Sequence, residues 1–84
     1  AYRAIAKRAD LDVWIHLGDY IYEYADLVYG DPDIDRRNEP KAECLSLADY
    51  RTRYSQYRND PDLQEIHRQH PIIAVWDDHE TAND

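Results

Sequence analysis

The sequence predicts an α/β protein in which two parallel strands are joined by a long crossover carrying two helices. Three observations point there. Val13-Trp-Ile, continued by His16 and Leu17, is a compact run rich in β-branched and aromatic residues, and Ile72-Ile-Ala-Val-Trp76 is a second. Two helical patterns lie between them, over about residues 47–58 and onward from Asp60. Strands separated by helices form a βαβ-type unit, which implies parallel pairing and a right-handed connection. Apolar runs this brief suit strands covered on both faces, the habit of parallel sheets.

The elements follow in order. Residues 2–9 have good helix propensity, with Tyr2, Ile5 and Ala9 near one face. Asp10-Leu-Asp breaks that helix, and Gly18 stops the first strand. Residues 25–44 are rich in turn formers and alternating charges, and a loop of that length inside a compact domain is expected to lie over a functional site. Ser46 is placed to cap a helix that carries Leu47, Tyr50, Tyr54 and Tyr57 on one stripe. Asp60 and Pro61 are an N-cap and first-turn pair for the next helix; Leu63, Ile66, His67 and His70 keep its period, and Pro71 ends it.

Length and composition bound the function. Eighty-four residues make at most one small domain, and the single cysteine, Cys44, excludes an internal disulfide. Ala1 is not an initiator methionine, and neither a signal peptide nor a membrane span is recognisable. The chain is therefore expected to be an internal piece of one larger domain, incomplete at both ends. A net charge of −8 argues against a nucleic-acid footprint, which needs a basic face. The same charge repels a phosphorylated substrate unless bound cations invert the local field.

Chemistry concentrates where the two runs end. Parallel strands open their carboxyl ends on one edge, where ligand sites of open α/β sheets form. Gly18 permits a sharp bend, and the Asp19 carboxylate after it can bridge two cations or simply close a turn. Tyr22, three residues on, is either a phenolate donor suited to a ferric ion or a packed aromatic. Asp77 and Asp78 leave a buried run together, a costly pairing unless cations or hydrogen bonds satisfy them. One reading makes Asp78 a metal ligand, turns Asp77 to the backbone and lets His79 hold or protonate a phosphate-ester oxygen. The other is a solvated acidic turn with an N-capping aspartate. Glu80 and Asn83 suggest help in positioning the loop, with no specific role. His67 and His70 share the stripe of Leu63 and Ile66 and read as packing residues, His16 as a core or supporting imidazole, and Cys44 as an incidental thiol.

These blocks carry a family resemblance. His16-Leu-Gly-Asp-Tyr-Ile-Tyr-Glu-Tyr24, Leu47-Ala-Asp-Tyr-Arg-Thr-Arg-Tyr54, Asp60-Pro-Asp-Leu-Gln64 and Val75-Trp-Asp-Asp-His-Glu80, with Asn83-Asp84, resemble the PhoD-like alkaline phosphatase branch of the calcineurin-like metallophosphoesterases. The resemblance spans nearly the whole chain and implies a fragment of a layered α/β sandwich of sheets flanked by helices. It implies metal-dependent hydrolysis of phosphomonoesters or phosphodiesters through a metal-bound hydroxide. By motif match, Asp19 is the bridging ligand, Tyr22 an iron ligand, Asp78 a ligand of the second metal and His79 the residue assisting at the phosphate. The implied cofactors are two metal ions, iron and calcium; the implied substrate is a small-molecule or lipid-type phosphate ester; the implied location is periplasmic or extracellular. The family's other metal motifs fall outside these residues, so the 84-residue chain alone is expected to be inactive. The rival reading is a non-catalytic acidic remnant that binds calcium or a protein.

Overall fold

The computed structural model describes residues 1–83. Helix α1 covers Tyr2–Ala6, strand β1 Trp14–His16, helix α2 Leu47–Tyr57, helix α3 Pro61–Gln69 and strand β2 Ile72–Ala74; a 3₁₀ turn follows at Asp78–Glu80. The strands pair in parallel, with Trp14 opposite Ile72, Ile15 opposite Ile73 and His16 opposite Ala74. The βαβ order expected from the sequence is present, in shorter elements. Helix α1 stops three residues before the expected end, with Lys7 as its C-cap and no fully buried residue along it.

Both crossover helices start at the expected caps. The Ser46 hydroxyl accepts the Asp49 amide while the Asp49 carboxylate returns to the Ser46 amide, a reciprocal capping box. Asp60 accepts the amides of Asp62 and Leu63, with Pro61 in the first turn. Helix α3 then delivers Leu63 and Ile66 to a core completed by Trp14 and by the half-buried Tyr2, Ile5, Ala6, Tyr20 and Ile72. Full burial of each such side chain contributes roughly 1.5–3 kcal/mol.

Two expectations are corrected here. The sheet is covered on one face only by the described residues: Trp14 is buried by α1 and α3, whereas the registered pair Ile15 and Ile73 stands 60% and 56% exposed on the other face. The α2 stripe also differs, because Leu47 is exposed and the buried centre of that helix is Arg53. Its guanidinium is wholly inaccessible and donates to five backbone carbonyls, those of Tyr22, Tyr24, Glu39, Pro40 and Ala42. A side chain counted as polar thus occupies a core position because its fork of donors satisfies irregular backbone that no ladder pairs.

That arginine anchors the long loop. Asn38 reaches across to the Asp26 carboxylate and the Tyr24 carbonyl, and Arg36 pairs with Asp60. Residues 35–38 consequently form one wall of an open cleft of about 640 Å³ that also contains Asp19, Tyr22 and Tyr57. The loop lies over the strand ends, as its length and composition suggest.

Candidate metal centre

The ladder ends with the Val75 amide donating to the His16 carbonyl at 3.1 Å, and both chains then turn toward each other. Gly18 has φ 111°, and a Cβ placed on it would lie 2.4 Å from the Cβ of Asp77. Only glycine allows both the dihedral and the approach. Asp19 follows with φ 53°, in the left-handed region that a non-glycine residue enters when its surroundings hold it there. On the other side, Asp77 accepts the Asp78 amide at 2.9 Å and caps the 3₁₀ turn that carries Asp78, His79 and Glu80.

These two turns bring Asp19, Asp78 and His79 together. One ligand atom from each lies within 4.8 Å of the others, a spacing that fits a cation. The Tyr22 hydroxyl donates to Asp19 Oδ2 at 3.1 Å, and its ring centroid stands 4.4 Å from that of His79. All four residues singled out from the sequence therefore meet, although Asp19 and Asp78 are far apart in the chain. Oδ1 of Asp19 is buried and accepts no hydrogen bond from the described residues. A buried carboxylate oxygen without a donor is unfavourable by itself and is satisfied by a cation. Two carboxylates, an imidazole and a phenol are the donor set that hard or borderline metal ions take.

The electrostatics suit that occupancy. Burial, then the hydrogen bond to Asp19, pushes the Tyr22 phenol above its ordinary pKa, so the metal-free site keeps the proton on the phenol. His79 Nδ1 lies 2.8 Å from Oε2 of Glu23, whose other oxygen accepts the Asn83 amide at 2.8 Å. Glu23 is only 2% exposed. Its hydrogen bond raises the His79 pKa against the opposing effect of burial. Burial pushes the Glu23 carboxyl up, but the bonds from His79 and the backbone amides hold it below its usual range. With Nδ1 engaged by Glu23, Nε2 is the nitrogen left to face the cluster.

The other histidines have different work. His67 Nε2 lies 2.7 Å from the Tyr20 hydroxyl and its ring packs edge-on to Trp14. His70 Nε2 reaches the Arg8 carbonyl at 2.9 Å, and His16 Nε2 the Tyr2 hydroxyl at 3.3 Å. Cys44 is buried, and burial raises its thiol pKa.

A family model described as PhoD-like phosphatase matches residues 1–84. The chain belongs to the PhoD-like phosphatase family. Over 83 residues it is 45% identical to "Alkaline phosphatase D" of Bacillus subtilis (strain 168), a match covering 99% of this chain and 14% of that relative. A solved structure described as "Structure of PhoD" superposes with a TM-score of 0.86 at 44% identity, covering 99% of this chain and 16% of that one. The chain thus spans about one seventh of the length of this PhoD-like relative.

Within this PhoD-like segment, Glu23 and Arg53, which the sequence did not single out, and Glu80, which it gave only a loop-positioning role, contact the site's residues. Glu23 holds His79, Glu80 accepts amides from both turns, and Arg53 fastens the carbonyls of Tyr22 and Tyr24. The Asp77-x-x-Glu80 spacing is the capping-box pattern and was a usable signal for Glu80. Nothing local signals Glu23, whose partner is 56 residues away.

Proposed function

We propose that the protein carrying this chain hydrolyses phosphate esters, monoesters or diesters of small-molecule or lipid type, at the centre formed by Asp19, Tyr22, Asp78 and His79. The observation that carries this reading is the convergence of Asp19, Asp78 and His79 within 4.8 Å at the ends of two parallel strands. The buried, unpartnered oxygen of Asp19 supports it. Two metal ions, iron and calcium, are the proposed cofactors: Asp19 would be a ligand shared by both, Tyr22 would hold the iron and Asp78 would hold the other ion. When bound, they supply Lewis-acid polarisation of a phosphoryl oxygen and an activated water.

The chain's own residues supply the rest. Tyr22 presents its oxygen 3.1 Å from Asp19, so phenol and carboxylate converge on one position. Glu23 fixes the His79 ring through Nδ1 and raises its proton affinity. Nε2 of His79 then carries a proton to the leaving oxygen of the ester. The wall formed by residues 35–38 limits how water and substrate reach Asp19 and Tyr22.

The chain is proposed to be part of one catalytic domain with a layered α/β sandwich, in which further strands and helices cover the face of Ile15 and Ile73. A periplasmic or extracellular location follows the exported habit that the family resemblance implies.

Turnover of p-nitrophenyl phosphate and bis-p-nitrophenyl phosphate by the full-length protein tests the reading. Asp19→Asn and Asp78→Asn are each expected to lower kcat at least about a hundredfold, the scale of losing one preorganised electrostatic stabiliser. Chelation should abolish turnover, and the 84-residue chain alone should show none. Wild-type rates in both variants would remove these residues from the site. Calcium binding indifferent to both would instead favour an acidic calcium- or protein-binding module.

A further inference from the structure

We infer that Glu80 is a positioning residue that fixes the distance between Asp19 and Asp78 by binding the backbone of both strand ends at once; the inference rests on the metal-site reading above. Its Oε1 accepts the Tyr20 amide at 2.5 Å, and its Oε2 accepts the Asp19 amide at 3.1 Å and the Asp77 amide at 2.8 Å. Tyr20 and Asp19 belong to the turn after β1, whereas Asp77 belongs to the turn after β2 and directly precedes Asp78. A single carboxylate thus spans the gap between the two ligand-bearing segments.

The geometry requires such a group. Gly18 and Asp19 are consecutive residues with φ of 111° and 53°, and the chain leaves β1 with the amides of Asp19 and Tyr20 unpaired by any backbone carbonyl of the described residues. Beyond the bond from Val75 to His16, no backbone–backbone hydrogen bond among the described residues joins 17–20 to 76–80. Gly18 and Asp77 nevertheless meet closely enough that a Cβ would not fit. The strand ladder therefore brings the two ends near, and among the described residues Glu80 Oε2 accepts the amides of both Asp19 and Asp77.

The test is ferric-ion titration of the full-length protein, read by calorimetry and by the tyrosinate-to-iron absorption band. Glu80→Gln keeps the side-chain volume but has one acceptor oxygen, so one side of the clamp opens. It is expected to weaken ferric binding at least about tenfold, the loss typical when a group supporting a metal ligand is removed. Asp49→Ala, which removes the carboxylate half of the α2 capping box and none of the ligands, is expected to lower stability and leave ferric affinity unchanged. Wild-type affinity in Glu80→Gln, with binding abolished in Asp19→Asn, would overturn the role of Glu80 and leave the metal site standing. Binding retained in Asp19→Asn would instead overturn the site itself. If Glu80→Gln does not fold, amide exchange in the unsubstituted metal-free protein decides. Slow exchange at Asp19, Tyr20 and Asp77 supports the clamp, and exchange at the rate of an open loop refutes it.

Discussion

Glu23 and His79 show how one hydrogen bond sets the chemistry of a side chain. A carboxylate 2.8 Å from Nδ1 orients the imidazole and raises its pKa, which favours the protonated ring. Replacing that carboxylate by an amide in Glu23→Gln should lower kcat by about 10- to 100-fold with little change in KM. The rate should also fall at lower pH than in the unsubstituted enzyme, because a donor of lower pKa loses its proton earlier. A pH–rate series on both proteins checks this. His67 has the opposite sign. Burial, then the charges of Arg58 and His16, lowers its pKa, so the folded state favours the neutral ring bonded to Tyr20. Its contribution to stability is complete above the unfolded value of about 6.5 and is lost as pH falls through the lower folded value. Denaturant midpoints measured across that window should slope upward with pH, and His67→Gln should flatten the slope.

Local chemistry controls where the elements begin. Ser46 with Asp49, and Asp60 with Pro61, start the two crossover helices where their caps predict, because a cap bonds only the next turn. The faces those helices bury are a tertiary matter. Helix α3 follows its own period to Leu63 and Ile66, whereas α2 turns Arg53 inward toward a loop whose carbonyls need donors. No pattern within α2 distinguishes Arg53 from Arg51, which is exposed. Arg53→Met should destabilise the full-length protein by about 3 kcal/mol or more, since each stranded buried acceptor costs roughly 1–3 kcal/mol. Limited proteolysis between residues 25 and 44 should accelerate with it. Arg53→Lys should fall between the two, because an ammonium has three donors rather than a five-donor fork.

The whole molecule is a slab rather than a ball. Its extents are 39 × 28 × 20 Å and its radius of gyration is 13.7 Å, against about 12 Å for a compact domain of this length. Ile15, Leu17, Ile73, Val75 and Trp76 are all exposed along or just beyond the two-stranded sheet. Exposed apolar surface of that kind beside unpaired strand edges is the kind that packs against further structure or a partner. In a Trp14→Phe background, Trp76 fluorescence should be freely quenched by acrylamide in the 84-residue chain and protected in the full-length protein. Equal quenching in both would mean that no layer covers this face.

The amino-acid sequence determined the element order and the starts of the crossover helices, and it singled out Asp19, Tyr22, Asp78 and His79, which the structure brings together. Those depend on period, caps and the turn chemistry of Gly18-Asp19 and Asp77-Asp78, which act over a few residues. Only the tertiary structure decided that Glu23 reaches His79, that Glu80 joins the two turns, that Arg53 is buried and that one sheet face is bare. The first three depend on contacts between residues far apart in the chain, and hydrogen-bond partners at such separation leave no local pattern to read; the bare face is the one that the described residues do not cover.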